Sequence, residues 1–331
     1  MKNNNDYISF LGTEIRSYLN WRKGMGCMDQ KHKSLFYQFD RFLIENNNYQ
    51  TEDITPELFI NFRNTLNCEA NTINIKMGVL RMFFDYLNRI DSTVENPLQY
   101  IPALPEKKFI PFVFSEDEIN KLLKAIDGQI QKTESTFLTD LSIYISIVLL
   151  AYCGMRISEP LRLKVKHYRS DEKTLYIEKT KFKKDRLIPL PKNAYSELNN
   201  YCEVLKSYDL HSEDNHLLVN QKRGYLITSD IYPIYYKALS RIGLLQDKKI
   251  VKGNMSFGKS TPHSLRHSFA VNKLKKIKQD GKSPENALPA LAQYMGHEKY
   301  ENTAVYLKIL DSNHRKSMLN FYMSDFREKI R

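Results

Sequence analysis

Apolar positions in the first hundred residues recur at helical spacing. Leu35, Phe36, Phe39, Phe42 and Leu43 share one face of a helix, and Ile73, Met77, Leu80, Phe84 and Leu87 repeat in the same way. Between them, the stretch Thr51–Leu66 places Pro56 near the start of a third helix. The pattern predicts a bundle of about four helices. It then breaks. Asn96–Phe114 contains Pro97, Pro102, Pro105 and Pro111, a density that no helix tolerates, so this stretch is expected to run extended as a linker. Immediately beyond, Ser115 is followed three residues later by Glu118 and then by Ile119, Leu122 and Leu123. That is a capping box, and it opens a second domain. The boundary falls near residue 110, dividing the chain into 1–110 and 111–331.

The second domain has a mixed pattern. Phe137–Tyr152 is almost continuously apolar, the signature of a buried helix, with Gly154 placed to cap its end. Asp140, Ser142 and Ser146 interrupt the run, which is too short and too polar to span a bilayer. Leu175–Glu178 and Arg186–Leu190 are short β-type runs on either side of the basic turn Lys179–Asp185, predicting a hairpin with a cationic tip. From Asp230 to the C-terminus the spacing is helical again. The expected class is mainly α with a small β-hairpin or sheet, an α+β fold.

Composition narrows the function. The 331 residues are 42% hydrophobic and 27% charged, with 12 Gly and 12 Pro, which excludes disordered and fibrous classes. Four scattered cysteines, Cys27, Cys68, Cys153 and Cys202, form no C-x-x-C pair. They suit a reducing compartment and argue against a disulfide framework or zinc ribbon. The N-terminus lacks the apolar core of a signal peptide, so a cytoplasmic protein without membrane attachment is expected. The net charge of +12 is unevenly spread. Residues 1–110 hold 13 basic and 13 acidic side chains, and residues 111–331 hold 37 and 25. An excess of that sign suggests a polyanionic partner.

Four fragments can carry chemistry: Gly154-Met155-Arg156 with Glu159; Lys181 in the hairpin turn ahead of Arg186; His263 with Arg266 and His267; and Gly296-His297 with Tyr306 nine residues on. Singly each is weak, since about 0.4 chance matches to H-x-x-R are expected in a chain of this composition. In this order and these contexts they resemble the tyrosine recombinase (phage integrase) family. Arg156, Lys181, His263, Arg266, His297 and Tyr306 match that family's pattern, while Pro160 and Phe182 depart from its usual residues. The resemblance spans the chain. It implies a helical, SAM-like core-binding domain at 1–110, a catalytic domain at 111–331 with a C-terminal tail at 311–331, and the two together forming a clamp on DNA. It implies a site-specific DNA recombinase that acts through a 3′-phosphotyrosyl intermediate, serving integration, excision or transposition of a mobile element. The implied partners are double-stranded recombination sites and further copies of the chain in a tetramer, with the tail docking on a neighbour. A type IB topoisomerase-like activity and a catalytically silent DNA-binding regulator are the competing readings.

The residue types suit that chemistry independently of the resemblance. Breaking a phosphodiester without a metal or cofactor requires positive charge around the phosphorane-like state, and guanidiniums supply forked donors to its oxygens. Arg156 and Arg266 fit that role. A tyrosine hydroxyl, with a pKa of about 10, attacks if its proton is taken, and His263 is the candidate base. Lys181 is the candidate donor to the departing 5′-oxygen, and His297 supplies a further hydrogen bond to the phosphate. Glu159 is read as a carboxylate orienting an arginine, and His267 as a structural neighbour of His263. Tyr300 lies between Lys299 and Glu301 in a surface setting, whereas Tyr306 sits among Ala304, Val305 and Leu307, so Tyr306 is the expected nucleophile.

Overall fold

The computed structural model describes residues 7–27, 30–178, 185–246, 250–253, 255–297 and 299–310. Contacts divide the chain into two units, Met1–Lys108 and Phe109–Arg331.

The first unit contains helices α1 (Gly12–Gly24), α2 (Gln30–Glu45), α3 (Pro56–Thr65) and α4 (Ala70–Ile90). Pro56 occupies the first turn of α3, where its missing N–H costs nothing, and the Thr55 hydroxyl accepts from the Leu58 amide. The apolar faces meet in an aromatic core. Phe36 packs edge-on to Phe83 with centroids 5.2 Å apart, and Phe39 meets Phe62 in the same way, also at 5.2 Å. Edge-to-face packing of this kind adds about 0.5–1.5 kcal/mol per pair beyond the area buried.

The proline-rich stretch is not simply extended. Leu98 and Ile101 turn inward and are buried. The Arg81 guanidinium donates to the carbonyls of Leu98 and Ile101, and Asn74 donates to that of Leu104. Two apolar anchors and side-chain donors for the carbonyls hold this stretch against α4, where proline content alone predicted an extended linker. Its last part, β1 (Lys108–Ile110), is a strand.

The second unit continues with α5 (Glu116–Asp127), α6 (Phe137–Cys153), β2 (Tyr168–Arg169), β3 (Thr174–Ile177), β4 (Arg186–Pro189), α7 (Lys192–Ser207) and α8 (Thr228–Arg241). It ends with β5 (Ile250–Lys252), β6 (Met255–Phe257), α9 (Pro262–Gln279), α10 (Pro284–Met295) and α11 (Glu301–Leu310). The capping box forms: the Ser115 amide donates to Glu118 Oε2 at 2.7 Å, and the Glu118 amide donates to Ser115 Oγ at 3.2 Å. Helix α6 is the central post, packed by α5, α7 and α9. The two serines in its apolar run are buried but satisfied, because Ser142 Oγ donates to the Leu138 carbonyl and Ser146 Oγ to that of Ile143. Among the described residues, no helix is long and apolar enough to cross a membrane.

Strands β2, β3 and β4 form an antiparallel sheet in which Ile177 faces Arg186 across the hairpin. Both roots of its turn are tied down. Glu178 Oε1 lies 2.6 Å from His167 Nε2, and the Tyr176 hydroxyl donates to Asp185. A second sheet, in the order β1-β6-β5, interrupts the helical periodicity expected from Asp230 onward. Gly253 turns the β5–β6 hairpin at φ +54°, and the Gly258 amide donates to the Ile110 carbonyl. Strands of three residues are too short to show a period, and β1 pairs with a partner far along the chain.

Candidate active site

Two helix ends build the cationic half of the site. Helix α6 stops at Gly154 (φ +58°) and α10 stops at Gly296 (φ +66°), both left-handed. Neither glycine is replaceable without strain. A Cβ on Gly154 would lie 2.4 Å from the Phe269 ring, and one on Gly296 would lie 2.9 Å from Arg186 Nη1. Each turn exposes the last carbonyls of its helix, the negative end of the helix dipole, and guanidiniums collect there. Arg266 donates from Nη1 to the Gly154 carbonyl and from Nη2 to the Met295 carbonyl, both at 2.7 Å. Arg156 donates from Nη2 to the Gly296 carbonyl at 2.8 Å, and Arg186 from Nε to the Tyr294 carbonyl at 2.9 Å.

Glu159 ties two of these arginines together. Its side chain is 2% exposed and accepts four hydrogen bonds. Oε1 takes Arg156 Nη1 (3.0 Å) and Arg186 Nη1 (3.1 Å), while Oε2 takes Arg186 Nη2 (3.0 Å) and the Arg156 amide (2.8 Å). Burial pushes the carboxyl pKa up, but the hydrogen bonds and charge of Arg186, with the Arg156 amide and the Arg266 charge, outweigh it and hold the group below its ordinary value. The carboxylate orients arginines, as its sequence setting suggested. Three guanidiniums against one carboxylate leave a local charge of about +2, suited to a phosphodiester. Burial, followed by the Arg156 charge, lowers the Arg266 pKa to about 10, so it remains a cation at neutral pH.

The other half is aromatic. Pro262 opens α9, and the Thr261 amide donates to Ser264 Oγ, so His263 stands in the first turn, exposed, with Arg266 and His267 following on buried or half-buried positions. His263 and His267 are one turn apart and meet edge to face, with centroids 4.6 Å apart and planes at 85°. Tyr306 on α11 is 4% exposed, and its hydroxyl lies 3.1 Å from His267 Nδ1. Burial raises the phenol pKa against the opposing charges of Arg266 and Arg156. His297, just past the α10 cap, lies 2.7 Å through Nδ1 from Thr303 Oγ1 and stacks on Tyr306 with centroids 6.2 Å apart. Burial first, then neighbouring cations led by Arg266, pushes the His297 imidazole down to about 4. Burial, then His263 and Arg266, pushes His267 down to about 3. His263, though its edge is open to solvent, is lowered by desolvation from the surrounding protein and then by the charges of Arg266 and Arg156.

Arg156, His263, Arg266, His297 and Tyr306 therefore come together from α6, α9, α10 and α11. Lys181 lies outside the described residues, as does the tail 311–331. Two participants were not singled out from sequence. Arg186 stood in the basic hairpin fragment, yet its partner Glu159 is 27 residues earlier and nothing local links them. His267 was placed beside His263 but not against Tyr306, a contact made only by packing α11 on α9. Tyr300 is 48% exposed in the turn before α11, consistent with its surface reading.

The chain belongs to the phage integrase family, whose profile matches residues 113–313, and with it to the tyrosine recombinases. It is 27% identical over 279 residues to a tyrosine recombinase of Pseudothermotoga lettingae, covering 83% of this chain and 84% of the relative. It is 26% identical over 290 residues to the tyrosine recombinase XerC of Staphylococcus aureus, covering 86% of each. Its fold is similar to that of a lambda integrase dimer bound to a core site, with TM-score 0.64 and 17% identity over 92% of this chain and 78% of the other.

Proposed function

We propose that this protein cuts and rejoins DNA at specific sites through a 3′-phosphotyrosyl bond on Tyr306, in the cytoplasm, for the integration, excision or transposition of a mobile element. The observation that supports this reading best is a buried tyrosine hydroxyl held by a histidine of the helix that also carries Arg266, beside guanidiniums fixed by backbone carbonyls. Arg156 and Arg266 bind the non-bridging oxygens of the scissile phosphate and stabilise the charge that grows on them. A histidine of α9 takes the phenol proton, and Oη attacks phosphorus as the bond to the 5′-oxygen breaks. Lys181 protonates that oxygen, and His297 adds a hydrogen bond to the phosphate. The phosphotyrosyl ester conserves the bond energy, so a 5′-hydroxyl of another strand religates by the reverse path. Residues 1–108 grip the flanking duplex, four protomers join two duplexes, and the tail 311–331 docks on a neighbouring protomer.

The test is a pool of nicked duplexes randomised over the half-site, in which the short strand beyond the nick diffuses away after cleavage and traps the adduct. The protein should become covalently attached to a selected sequence, with the phosphate mapping to Tyr306. Tyr306→Phe should abolish the adduct and keep binding, whereas Tyr300→Phe should keep activity. No adduct from any sequence, or phosphate on Tyr300, overturns the reading.

A further inference from the structure

We propose that His267, rather than His263, is the catalytic base that takes the proton from Tyr306. The inference rests on Tyr306 being the nucleophile and assigns the proton that nucleophile must lose. The Tyr306 hydroxyl lies 3.1 Å from His267 Nδ1, within direct proton-transfer reach. A neutral imidazole has one lone pair, so for Nδ1 to accept from the phenol its own proton must sit on Nε2. The surroundings enforce that neutral form. The ring is half-buried, set edge-on against His263, and under the positive field of Arg266.

His263 stands one turn nearer the start of α9 and is exposed on the side of the Arg156 and Arg266 charges. From there it is placed to donate to a phosphate oxygen. The two histidines thus divide two tasks that a single residue would otherwise share.

In the forward step the Oη–H bond of Tyr306 breaks and its proton passes to His267 Nδ1. The Oη–P bond forms, the P–O5′ bond breaks, and the 5′-oxygen leaves with a proton from Lys181. In religation the 5′-hydroxyl gives its proton back to Lys181 and attacks phosphorus, the Oη–P bond breaks, and Tyr306 leaves carrying the proton back from His267. No redox change occurs, and each proton is returned. The base also strengthens when it is needed. Burial is the main reason His267 stays neutral in the free protein, and the positive field of Arg266 adds to it; a phosphodiester lying among the arginines offsets the second contribution, so His267 accepts a proton more readily with DNA in place.

The test uses the duplex captured by the parent protein. His267→Asn keeps a hydrogen-bond acceptor near the Nδ1 position but cannot hold a proton at neutral pH. It should bind DNA like the parent and cleave about 10²–10⁴-fold more slowly. Fluorotyrosine at position 306, a more acidic phenol, should recover about tenfold or more of that loss, because it needs a base less. The same replacement in His263→Asn should recover little. Parental cleavage by His267→Asn, or recovery that follows His263 instead, overturns the assignment. If His267→Asn fails to bind DNA, fluorotyrosine at 306 in the otherwise unaltered protein decides. Little change supports a working base, and acceleration of about tenfold or more shows that none acts. A covalent adduct formed by Tyr306→Phe would instead sink the nucleophile reading itself, so the two failures are distinguishable.

Discussion

The two halves of the site are held in opposite ways. The arginine side is over-determined: Arg156, Arg186 and Arg266 share four backbone carbonyls and a buried carboxylate, all at 2.7–3.1 Å. On the tyrosine side, among the described residues, the Tyr306 hydroxyl has a single hydrogen bond, to His267, and is otherwise flanked by rings. The contrast follows from what each half must do. Groups that stabilise charge act best when already in position, because reorganising them during the reaction would raise the barrier. A nucleophile has to leave its resting partner and reach phosphorus, so one exchangeable bond serves it better than several.

Removing the carboxylate should break the rigid half most severely. Glu159→Ala removes three of the five side-chain hydrogen bonds made by the half-buried guanidiniums of Arg156 and Arg186 and empties a buried site, a change of the kind that costs about 3–5 kcal/mol when the pair is fully buried and less here. Denaturant unfolding should show that loss, and cleavage should fall with it. An unchanged unfolding midpoint would mean that the carbonyls alone hold the arginines.

A gentler change separates charge from geometry. Arg156→Lys or Arg266→Lys keeps the cation but loses the fork that spans two acceptors at once. Single-turnover cleavage should drop about 10²–10³-fold, as for one preorganised donor. DNA affinity should barely move, since each residue is one contact among many. Weakened binding with normal cleavage per bound complex would contradict the role.

Acid should expose the tyrosine side. His267 and His297 stay neutral in the folded chain down to about 3 and about 4, whereas unfolded histidine takes up a proton near its ordinary value of 6.5. Below that value the unfolded state binds more protons, so stability is full above pH 6.5 and declines as pH falls toward 4. Glu159, held below its ordinary pKa, adds a loss of the same sign at still lower pH. The melting temperature measured against pH should show the decline, and His297→Asn should shallow it. A flat profile between pH 6.5 and 4 would show that these rings are more solvated than the structure indicates.

Local chemistry was legible in the sequence wherever neighbours along the chain decide the structure. The Ser115–Glu118 box, the Pro56 start of α3, the Gly154 cap and the β3–β4 hairpin depend on residues a few positions apart, and all appear as read. What escaped depends on distant pairing. Strand β1 meets β6 across some 150 residues, and Arg186 finds Glu159 only when β4 packs beside α10 near the turn that follows α6. His267 illustrates the limit best. Its place beside His263 is a matter of helical spacing, but its bond to Tyr306 exists only because α11 lies on α9.

The carbonyls at the end of α10 carry a consequence for the order of assembly. Arg156 and Arg266 stand more than a hundred residues apart, yet each is completed by a carbonyl from Met295–Gly296. During synthesis both arginines emerge from the ribosome before those carbonyls do. A growing or truncated chain that lacks α10 therefore presents two unfinished cations and lacks Tyr306, the proposed nucleophile, which lies further still along the chain. The proposed power to break a DNA strand therefore waits until α11 has been made and packed.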